Sequence, residues 1–172
     1  MQNVDFKCEL RDPQLARIAL KKLGAQHVHT VEQIDTYYRV PDGRLKKRES
    51  KGEPIEYIFY HRINRPQPKL SHFTIYTEEQ VKHRFGTRPL PVWMVVHKTR
   101  EIYLLRGTHV HIDNVQDLGH FLEVDALVGP NQHVGRCHRI IGKIRELLGP
   151  ALGEPIATGY ADLIQQDKDN AA

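Results

Sequence analysis

Alternation of apolar and polar residues is the main pattern in this chain, and it predicts eight β-strands. Residues 3–10 are the clearest example, because Val4, Phe6, Cys8 and Leu10 alternate with polar residues. A period of two is typical of a strand with one buried face. Further strands are predicted at residues 33–40, 44–50, 55–63, 70–76 and 93–103, and as a hairpin of two strands within residues 109–126.

Helices are predicted before, between and after these strands. Asp12 and Pro13 are typical of a helix start, and Gly24 of its end. A short helix is predicted over residues 77–86 and a longer one over 131–148, followed by a short helical turn at 160–164. We expect the polar residues 165–172 to form a flexible tail. This order of elements indicates a mostly antiparallel α+β fold, in a single domain over residues 1–172.

One face of several predicted strands carries charged side chains. Side chains two residues apart in a strand point to the same face of a sheet. Acids crowded on one face repel each other unless positive charge lies among them. The bases on these faces are Lys7, Lys46, Arg48, Arg62, Lys98 and Arg100, and the acids are Asp5, Asp113, Glu123 and Asp125. Periodicity leaves two interpretations open: a solvated outer face, or the interior of a closed eight-stranded barrel, which has room for one small ligand.

If the charged face is internal, its residue types match those that phosphoryl transfer requires. Carboxylates hold hard cations such as Mg²⁺, which also bind substrate phosphates. Arginine contacts phosphate oxygens in a bidentate manner, and lysine contacts them as a point charge. Metal, cationic cradle and aligned oxygens together support phosphoryl transfer. Five or six bases are too many for one phosphate, so a triphosphate or a short polyphosphate matches the set better.

Composition is that of a globular protein, with 40% hydrophobic and 27% charged residues among 172. No apolar run is long enough to predict a membrane span, and residues 1–10 lack the pattern of a secretory signal. Because Cys8 and Cys137 stand far apart, we interpret them as reduced thiols in a cytoplasmic protein. The net charge of +4 suits an anionic ligand or a solvated basic surface. Nucleic-acid binding is disfavoured, because no arginine-rich arm or known motif is present.

Segments along nearly the whole chain resemble, in the same order, those of the CYTH superfamily. This superfamily of triphosphate-tunnel enzymes includes class IV adenylyl cyclases, thiamine triphosphatases and inorganic triphosphatases. The matching segments are 3–7 (NVDFK), 33–38 (QIDTYY), 42–49 (DGRLKKRE), 98–103 (KTREIY), the hairpin 109–126 and 159–164 (GYADLI). The resemblance implies an eight-stranded, mostly antiparallel β-barrel tunnel with flanking helices, with the charged face inside.

The resemblance also implies a role for each charged residue. Asp5, Asp113, Glu123 and Asp125 match acids that hold Mg²⁺ or Mn²⁺. The six bases match triphosphate-facing positions, and Lys7 matches a catalytic residue that handles a proton. In two places the chain departs from the family: Asn3 replaces the first glutamate of the first strand, and Asp5 is shorter than the second. Both departures predict a weaker metal site.

The charged residues and the family resemblance lead to two hypotheses for the function. The first is a metal-dependent enzyme acting on ATP, thiamine triphosphate or tripolyphosphate, as an adenylyl cyclase or a triphosphate hydrolase. The alternative, favoured by Asn3, is a non-catalytic module that binds a nucleotide or polyphosphate. His111 shares a strand face with Asp113, and we interpret it as a hydrogen-bonding partner rather than a transition-metal ligand. The oligomeric state is open and includes a homodimer.

Overall fold

The eight predicted strands are present in the computed structural model, which describes residues 1–172. The strands are β1 (Gln2–Leu10), β2 (Gln26–Tyr38), β3 (Arg44–Ser50), β4 (Glu56–Arg62), β5 (Lys69–Tyr76), β6 (Val92–Leu105), β7 (Thr108–Val115), β8 (Gly119–Leu127) and a short β9 (Leu152–Pro155). The helices are α1 (Pro13–Lys22), α2 (Glu78–Phe85), α3 (Val134–Leu148) and α4 (Tyr160–Ala171).

Strands β1 to β8 close into a barrel. Their order is β5-β4-β3-β2-β6-β7-β8-β1, and a pairing between β1 and β5 completes the circle. Every pairing is antiparallel, and β9 adds to the end of β1 through Cys8 opposite Pro155 and Leu10 opposite Leu152. The predicted α+β fold, an eight-stranded antiparallel barrel with flanking helices, is therefore confirmed.

The apolar face of β1 lies outside the barrel and is covered by helices. Val4, Phe6 and Cys8 pack in one buried cluster with Ile141 of α3 and Leu20 of α1. Burying a side chain of this size is worth about 1.5–3 kcal/mol. Because the helices cover this outer face, the alternate residues of β1 have to point into the barrel, and these are the charged ones.

Three elements differ from the sequence predictions. Strand β2 begins at Gln26, seven residues before the predicted start at Gln33, and its pairing with β6 shifts between His27 and His29. That irregularity breaks the period of two and hides the strand. Strand β9 was not predicted, because four residues are too few for a period. Helix α4 continues to Ala171, so the polar residues 165–171, expected to be a flexible tail, are helical.

Side-chain caps account for the helix starts that the sequence predicted. The carboxylate of Asp12 accepts a hydrogen bond from the backbone N–H of Leu15 at 3.0 Å. Thr77 and Gln80 form a reciprocal capping box at the start of α2. None of the four helices combines the length and apolar character needed to cross a lipid bilayer.

Candidate active site

A cavity of about 460 Å³ lies inside the barrel. Each predicted site residue except Asp113 lines it, which brings together side chains from five strands. Apolar residues line part of the same cavity, namely Met1, Ile58, Phe73, Ile75 and Leu127. Cavities of this size accommodate small organic ligands.

A buried carboxylate, Asp35 of β2, organises one side of the barrel interior. Arg48 donates to both Asp35 oxygens at 2.8 Å, and the Nζ atoms of Lys46 and Lys98 lie 3.1 and 2.7 Å from Oδ2. We call these four residues the basic wall. Burial alone would raise the pKa of Asp35, but Arg48, Lys46 and Lys98 outweigh it and hold that pKa well below its usual range. One carboxylate therefore aligns three cations and leaves them in excess.

The environment of the two lysines in the basic wall disfavours their positively charged form. Burial, followed by repulsion from Arg48, lowers the pKa of Lys46 to about 8. Burial also holds the pKa of Lys98 well below its usual range, although Asp35 opposes this. An anion entering the cavity would relieve this repulsion, so the basic wall is suited to polyanions.

Asp113 is placed differently from the other predicted acids. Arg100 donates to both of its carboxylate oxygens at 2.7 Å, and the Tyr160 hydroxyl donates to Oδ2 at 2.6 Å. Both oxygens are thus engaged in holding Arg100 and the first residue of α4. The assignment of Asp113 as a metal ligand stays a prediction, and its visible contacts position Arg100.

Lys7 lies between these groups and the acids of β8. Its Nζ is 3.5 Å from Glu123 Oε2 and 3.8 Å from the centre of the Tyr160 ring. Burial, followed by the favourable effect of Glu123 and the unfavourable effect of Arg62, leaves the pKa of Lys7 below its ordinary value. A buried lysine with a lowered pKa gives up and takes up a proton more readily than an exposed one.

Three carboxylates form the opposite side of the interior. In the pairing of β1 with β8, Asp5 is opposite Asp125 and Lys7 is opposite Glu123. We call Asp5, Glu123 and Asp125 the acid wall. Burial, then repulsion from Glu123 and Asp5, holds the pKa of Asp125 well above its usual range. Burial raises the pKa of Glu123 too, but Lys7 and Arg100 outweigh it and keep that pKa well below the ordinary value.

Several buried polar atoms around these walls have no hydrogen-bond partner. Three of them belong to residues that line the cavity: Arg62 Nε, Asn3 Oδ1 and His111 Nδ1. Buried donors and acceptors are rarely left unpaired, so such atoms indicate where a ligand binds. Arg62 contacts Asp5 through Nη1 at 3.4 Å, which leaves its Nε donor for an anion.

His111 is the site residue that sequence reasoning misjudged. Its Nδ1 makes no hydrogen bond, so the interpretation as a hydrogen-bonding partner is wrong for this nitrogen. Ligand atoms of His111, Glu123 and Asp125 lie within 4.8 Å of one another. Burial lowers the pKa of His111 to about 3, and the resulting neutral imidazole is the form that binds metals. One nitrogen and two carboxylates are a donor set that fits a divalent cation.

Asp35 is the other site residue that was missed. It lies in the predicted strand 33–40, two residues from Gln33 and Tyr37, and these three inward positions are all buried. The sequence did contain a sign of this role. Asp35 is an acid on β2, and the neighbouring strand of the hairpin, β3, is rich in bases, with Arg48 directly opposite Asp35. Its contact with Lys98 spans 63 residues, and no local pattern predicts that distance.

A second cavity, of about 490 Å³, lies outside the barrel against α3. Its lining includes four bases, Arg106, Arg136, Arg139 and Lys143, beside apolar side chains. It contains no carboxylate and no buried ion pair. The interior cavity alone combines bases with a possible cation site, so we take it as the candidate active site.

Comparisons with known proteins identify relatives of this chain. A sequence model of the CYTH domain matches residues 1–160. The PH1012 protein of Pyrococcus horikoshii OT3 has a similar structure, with a TM-score of 0.70, 18% identity and coverage of 94% of this chain and 98% of that one. A candidate adenylate cyclase from Vibrio parahaemolyticus is also similar, with a TM-score of 0.72, 14% identity and coverage of 95% and 97%.

A third similar structure is HpAC1 from Hippeastrum, described as a candidate adenylyl cyclase with a dominant triphosphatase activity. Its TM-score is 0.63 at 11% identity, and the match covers 96% of each chain. At identities this low, the structural matches show a shared fold. No curated protein sequence matches this chain.

Proposed function

Since this chain belongs to the CYTH domain family, we propose that it is a metal-dependent enzyme that acts on a triphosphorylated small molecule inside its barrel. The resemblance drawn from the sequence motifs is confirmed at the level of the family. The proposed reaction is either hydrolysis of a triphosphate or cyclisation of ATP with release of pyrophosphate. Hydrolysis requires fewer groups, because water is the nucleophile.

The observation that carries this proposal is the composition of the interior cavity. Six bases line it, together with the four acids Asp5, Glu56, Glu123 and Asp125. Among the lining residues the bases outnumber the acids by six to four, so the cavity favours an anion with several charges. The unpaired Nε of Arg62 is a further donor for a phosphate oxygen.

In the proposed complex, the basic wall binds the phosphate chain. Arg48 is held in a fixed plane by its two bonds to Asp35, so its three remaining N–H donors point in defined directions. Lys46 and Lys98 add point charges, and Arg100, aligned by Asp113, faces the same cavity. Fixed donors stabilise the charge that develops on phosphate oxygens in the transition state without reorganising. The apolar residues of the lining suit the organic part of a substrate.

The acid wall would hold the divalent cation, together with His111. A bound ion supplies charge neutralisation and orients phosphate oxygens. Lys7, which lies beside Glu123, would take the proton released when a water oxygen attacks the terminal phosphorus and the bond to the bridging oxygen breaks. The lowered pKa of Lys7 supports this assignment, because a neutral amine has to be accessible for it.

The direct test is turnover. Purified protein is incubated with ATP, thiamine triphosphate or tripolyphosphate, each with Mg²⁺ or Mn²⁺, and the products are separated by chromatography. Released phosphate indicates hydrolysis, whereas cyclic AMP with pyrophosphate indicates cyclisation. Absence of turnover with all three substrates would overturn the enzyme proposal for them.

A matched pair of variants tests the basic wall. Arg48 faces the cavity, while the adjacent Lys47 pairs with Glu49 on the other face. Loss of a charge-assisted contact costs about 1.5–3 kcal/mol, so Arg48→Ala should weaken tripolyphosphate binding about 10- to 100-fold. Lys47→Ala should change it less than about twofold. Equal effects in calorimetry would contradict a specific phosphate site.

A second function is favoured by Asn3. With an amide in place of an acid, the cation site is weaker, and the barrel would then bind a nucleotide or polyphosphate without converting it. This alternative predicts a large rise of the melting temperature with tripolyphosphate and no released phosphate. Residual turnover that requires Lys7 would exclude it.

Two other expectations stay proposals. A cytoplasmic location fits a triphosphate substrate and the two unpaired cysteines. A homodimer is tested by light scattering of the purified protein.

A further inference from the structure

Three side chains of this barrel that could hold one metal ion come from two neighbouring strands. His111 on β7 is opposite Glu123 on β8, and His109 is opposite Asp125. The ligand atoms of His111, Glu123 and Asp125 all lie within 4.8 Å of one another. This spacing allows one ion to contact all three.

The strongest sign that a cation belongs there is the condition of His111. The residue is 8% exposed, and its Nδ1 has no hydrogen-bond partner although it points to within 3.5 Å of Asp125 Oδ2. Leaving such a nitrogen unpaired costs about 1–3 kcal/mol. A metal ion between the two atoms would satisfy the imidazole and separate it from the carboxylate.

A second unpaired atom lies beside the same carboxylate. Asn3 donates from Nδ2 to Asp125 Oδ1 at 3.4 Å, while Asn3 Oδ1 is buried without a partner. An amide oxygen is a neutral ligand for hard or borderline cations. Two independent strands, β1 and β7, thus present unsatisfied lone pairs to one group of acids.

The nature of the donors determines the class of ion. Mg²⁺ prefers oxygen ligands and retains waters, whereas imidazole nitrogen suits first-row transition ions. The amide of Asn3, in place of an acid, reduces the negative charge that attracts Mg²⁺. His111 in addition offers a nitrogen ligand, which Mg²⁺ binds poorly. We propose that His111, Glu123 and Asp125 form a nitrogen-containing site that binds Mn²⁺ and other divalent first-row transition ions in preference to Mg²⁺.

The contacts of Glu123 are compatible with this role. Lys7 and Arg100 both approach its Oε2, at 3.5 and 3.2 Å, so these bases engage one oxygen of the carboxylate. Asp125 meets no base within salt-bridge distance other than His111. This inference deepens the proposed function, since the ion would serve the same cavity, but its binding is measurable without any substrate.

The experiment is metal binding by the intact protein in the absence of nucleotide. Calorimetry gives the dissociation constants for Mn²⁺ and for Mg²⁺, and pulsed electron paramagnetic resonance of the Mn²⁺ complex reports any coupled ¹⁴N nucleus. We expect a ¹⁴N coupling in the wild-type protein. We also expect Mn²⁺ to bind at least about tenfold more tightly than Mg²⁺.

The variant His111→Gln should lose the ¹⁴N coupling and bind Mn²⁺ about tenfold more weakly or worse, with Mg²⁺ affinity changed less than about twofold. His109→Gln is the matched control, because His109 lies two residues away on the same strand, also lines the cavity and stacks on His111 at 6.1 Å between ring centres. It should retain both the coupling and the Mn²⁺ affinity.

Two results would overturn the inference: a wild-type Mn²⁺ complex without ¹⁴N coupling, or an unchanged ratio of Mn²⁺ to Mg²⁺ affinity in His111→Gln. The spectrum of the wild-type protein decides the matter even if the variant does not fold. A protein that binds Mn²⁺ through nitrogen but converts no triphosphate would contradict the proposed function and leave the metal site intact.

Discussion

The basic wall and the acid wall both consist of charged side chains in the interior of one barrel, but they differ in how well these side chains are paired. In the basic wall, each oxygen of Asp35 accepts from at least one cation, and Asp35 is 0% exposed. In the acid wall, carboxylates crowd one another, and the adjacent His111 and Asn3 each leave an atom unpaired.

This difference indicates which wall is complete within the protein. A buried charge with a full set of partners supports the fold, and removing one partner is costly. A group of buried acids with unpaired neighbours is stabilised from outside, by a cation. We infer that the basic wall is preorganised by the protein alone, whereas the acid wall depends on its ligand.

The largest expected effect is on the basic wall. Asp35→Asn keeps the shape of the side chain but leaves three buried cations without their counter-charge, so the free energy of unfolding should fall by about 3–5 kcal/mol. Urea denaturation measures this change. Glu32→Gln on the same strand is the control, because Glu32 is exposed and pairs with Lys51 at the surface; its effect should stay below about 1 kcal/mol. Similar losses in both variants would contradict the role of Asp35 as the counter-charge of the basic wall.

The corresponding change in the acid wall should have the opposite sign. Asp125→Asn removes one of three crowded carboxylates, so in buffer containing a chelator at neutral pH it should stabilise the protein by roughly 1 kcal/mol or more. Adding Mn²⁺ should stabilise the wild-type protein but not this variant. Thermal unfolding with and without the ion measures both effects. A destabilised variant in chelator would show that the acid wall is satisfied by the protein itself.

Binding of tripolyphosphate should depend on pH through Lys46. The folded-state pKa of Lys46 is lowered to about 8, so its positive charge is present below pH 8 and is lost as the pH rises through 8. Affinity should therefore fall by up to about tenfold per pH unit above that value. In Lys46→Arg the charge persists and this step should vanish, while titration of the ligand is common to both proteins. Parallel pH profiles in calorimetry would assign the dependence to another group.

The same lowered pKa has a defined sign for stability. Between pH 8 and the ordinary lysine value of 10.5, the unfolded chain binds more protons at this position than the folded chain does. The contribution of Lys46 to the free energy of unfolding therefore becomes less unfavourable as the pH rises through this window.

The smallest expected effect is at the position where the chain departs from its family. Asn3→Glu adds an acid beside Asp125, and it should tighten binding of Mg²⁺ several-fold while lowering stability slightly in chelator. Calorimetry and thermal unfolding check the two parts separately. Leu127, opposite Asn3 in the β1–β8 pairing, offers no competing charge, so an unchanged Mg²⁺ affinity would mean that position 3 lies outside the ion's reach.

Much of the site could be predicted from local sequence, because alternation within a strand is a local property. The pairs Lys46 and Arg48, Lys98 and Arg100, and Glu123 and Asp125 were each assigned to one strand face, and the cavity indeed contains all of them. Each such pair needs only a period of two.

The failures occurred where the period is interrupted or where a partner is distant in sequence. The start of β2 was missed because of a pairing shift near His27 and His29. The C-terminal part of α4 was missed because its residues are polar on most sides. The role of His111 depended on whether a partner lay within hydrogen-bond distance of one nitrogen, which strand periodicity does not specify.

The sequence by itself determined which side chains share a face, and hence the two sets of charges. Only the tertiary structure decided that these faces point inward, because closure requires β1 to pair with β5, where Asn3 is opposite Ser71, 68 residues further along the chain. It also decided that Asp35 meets Lys98 and that His111 meets Asp125. The face on which a side chain lies follows from the backbone geometry of its own strand. Contacts between residues on different strands depend instead on the register and curvature of the whole barrel.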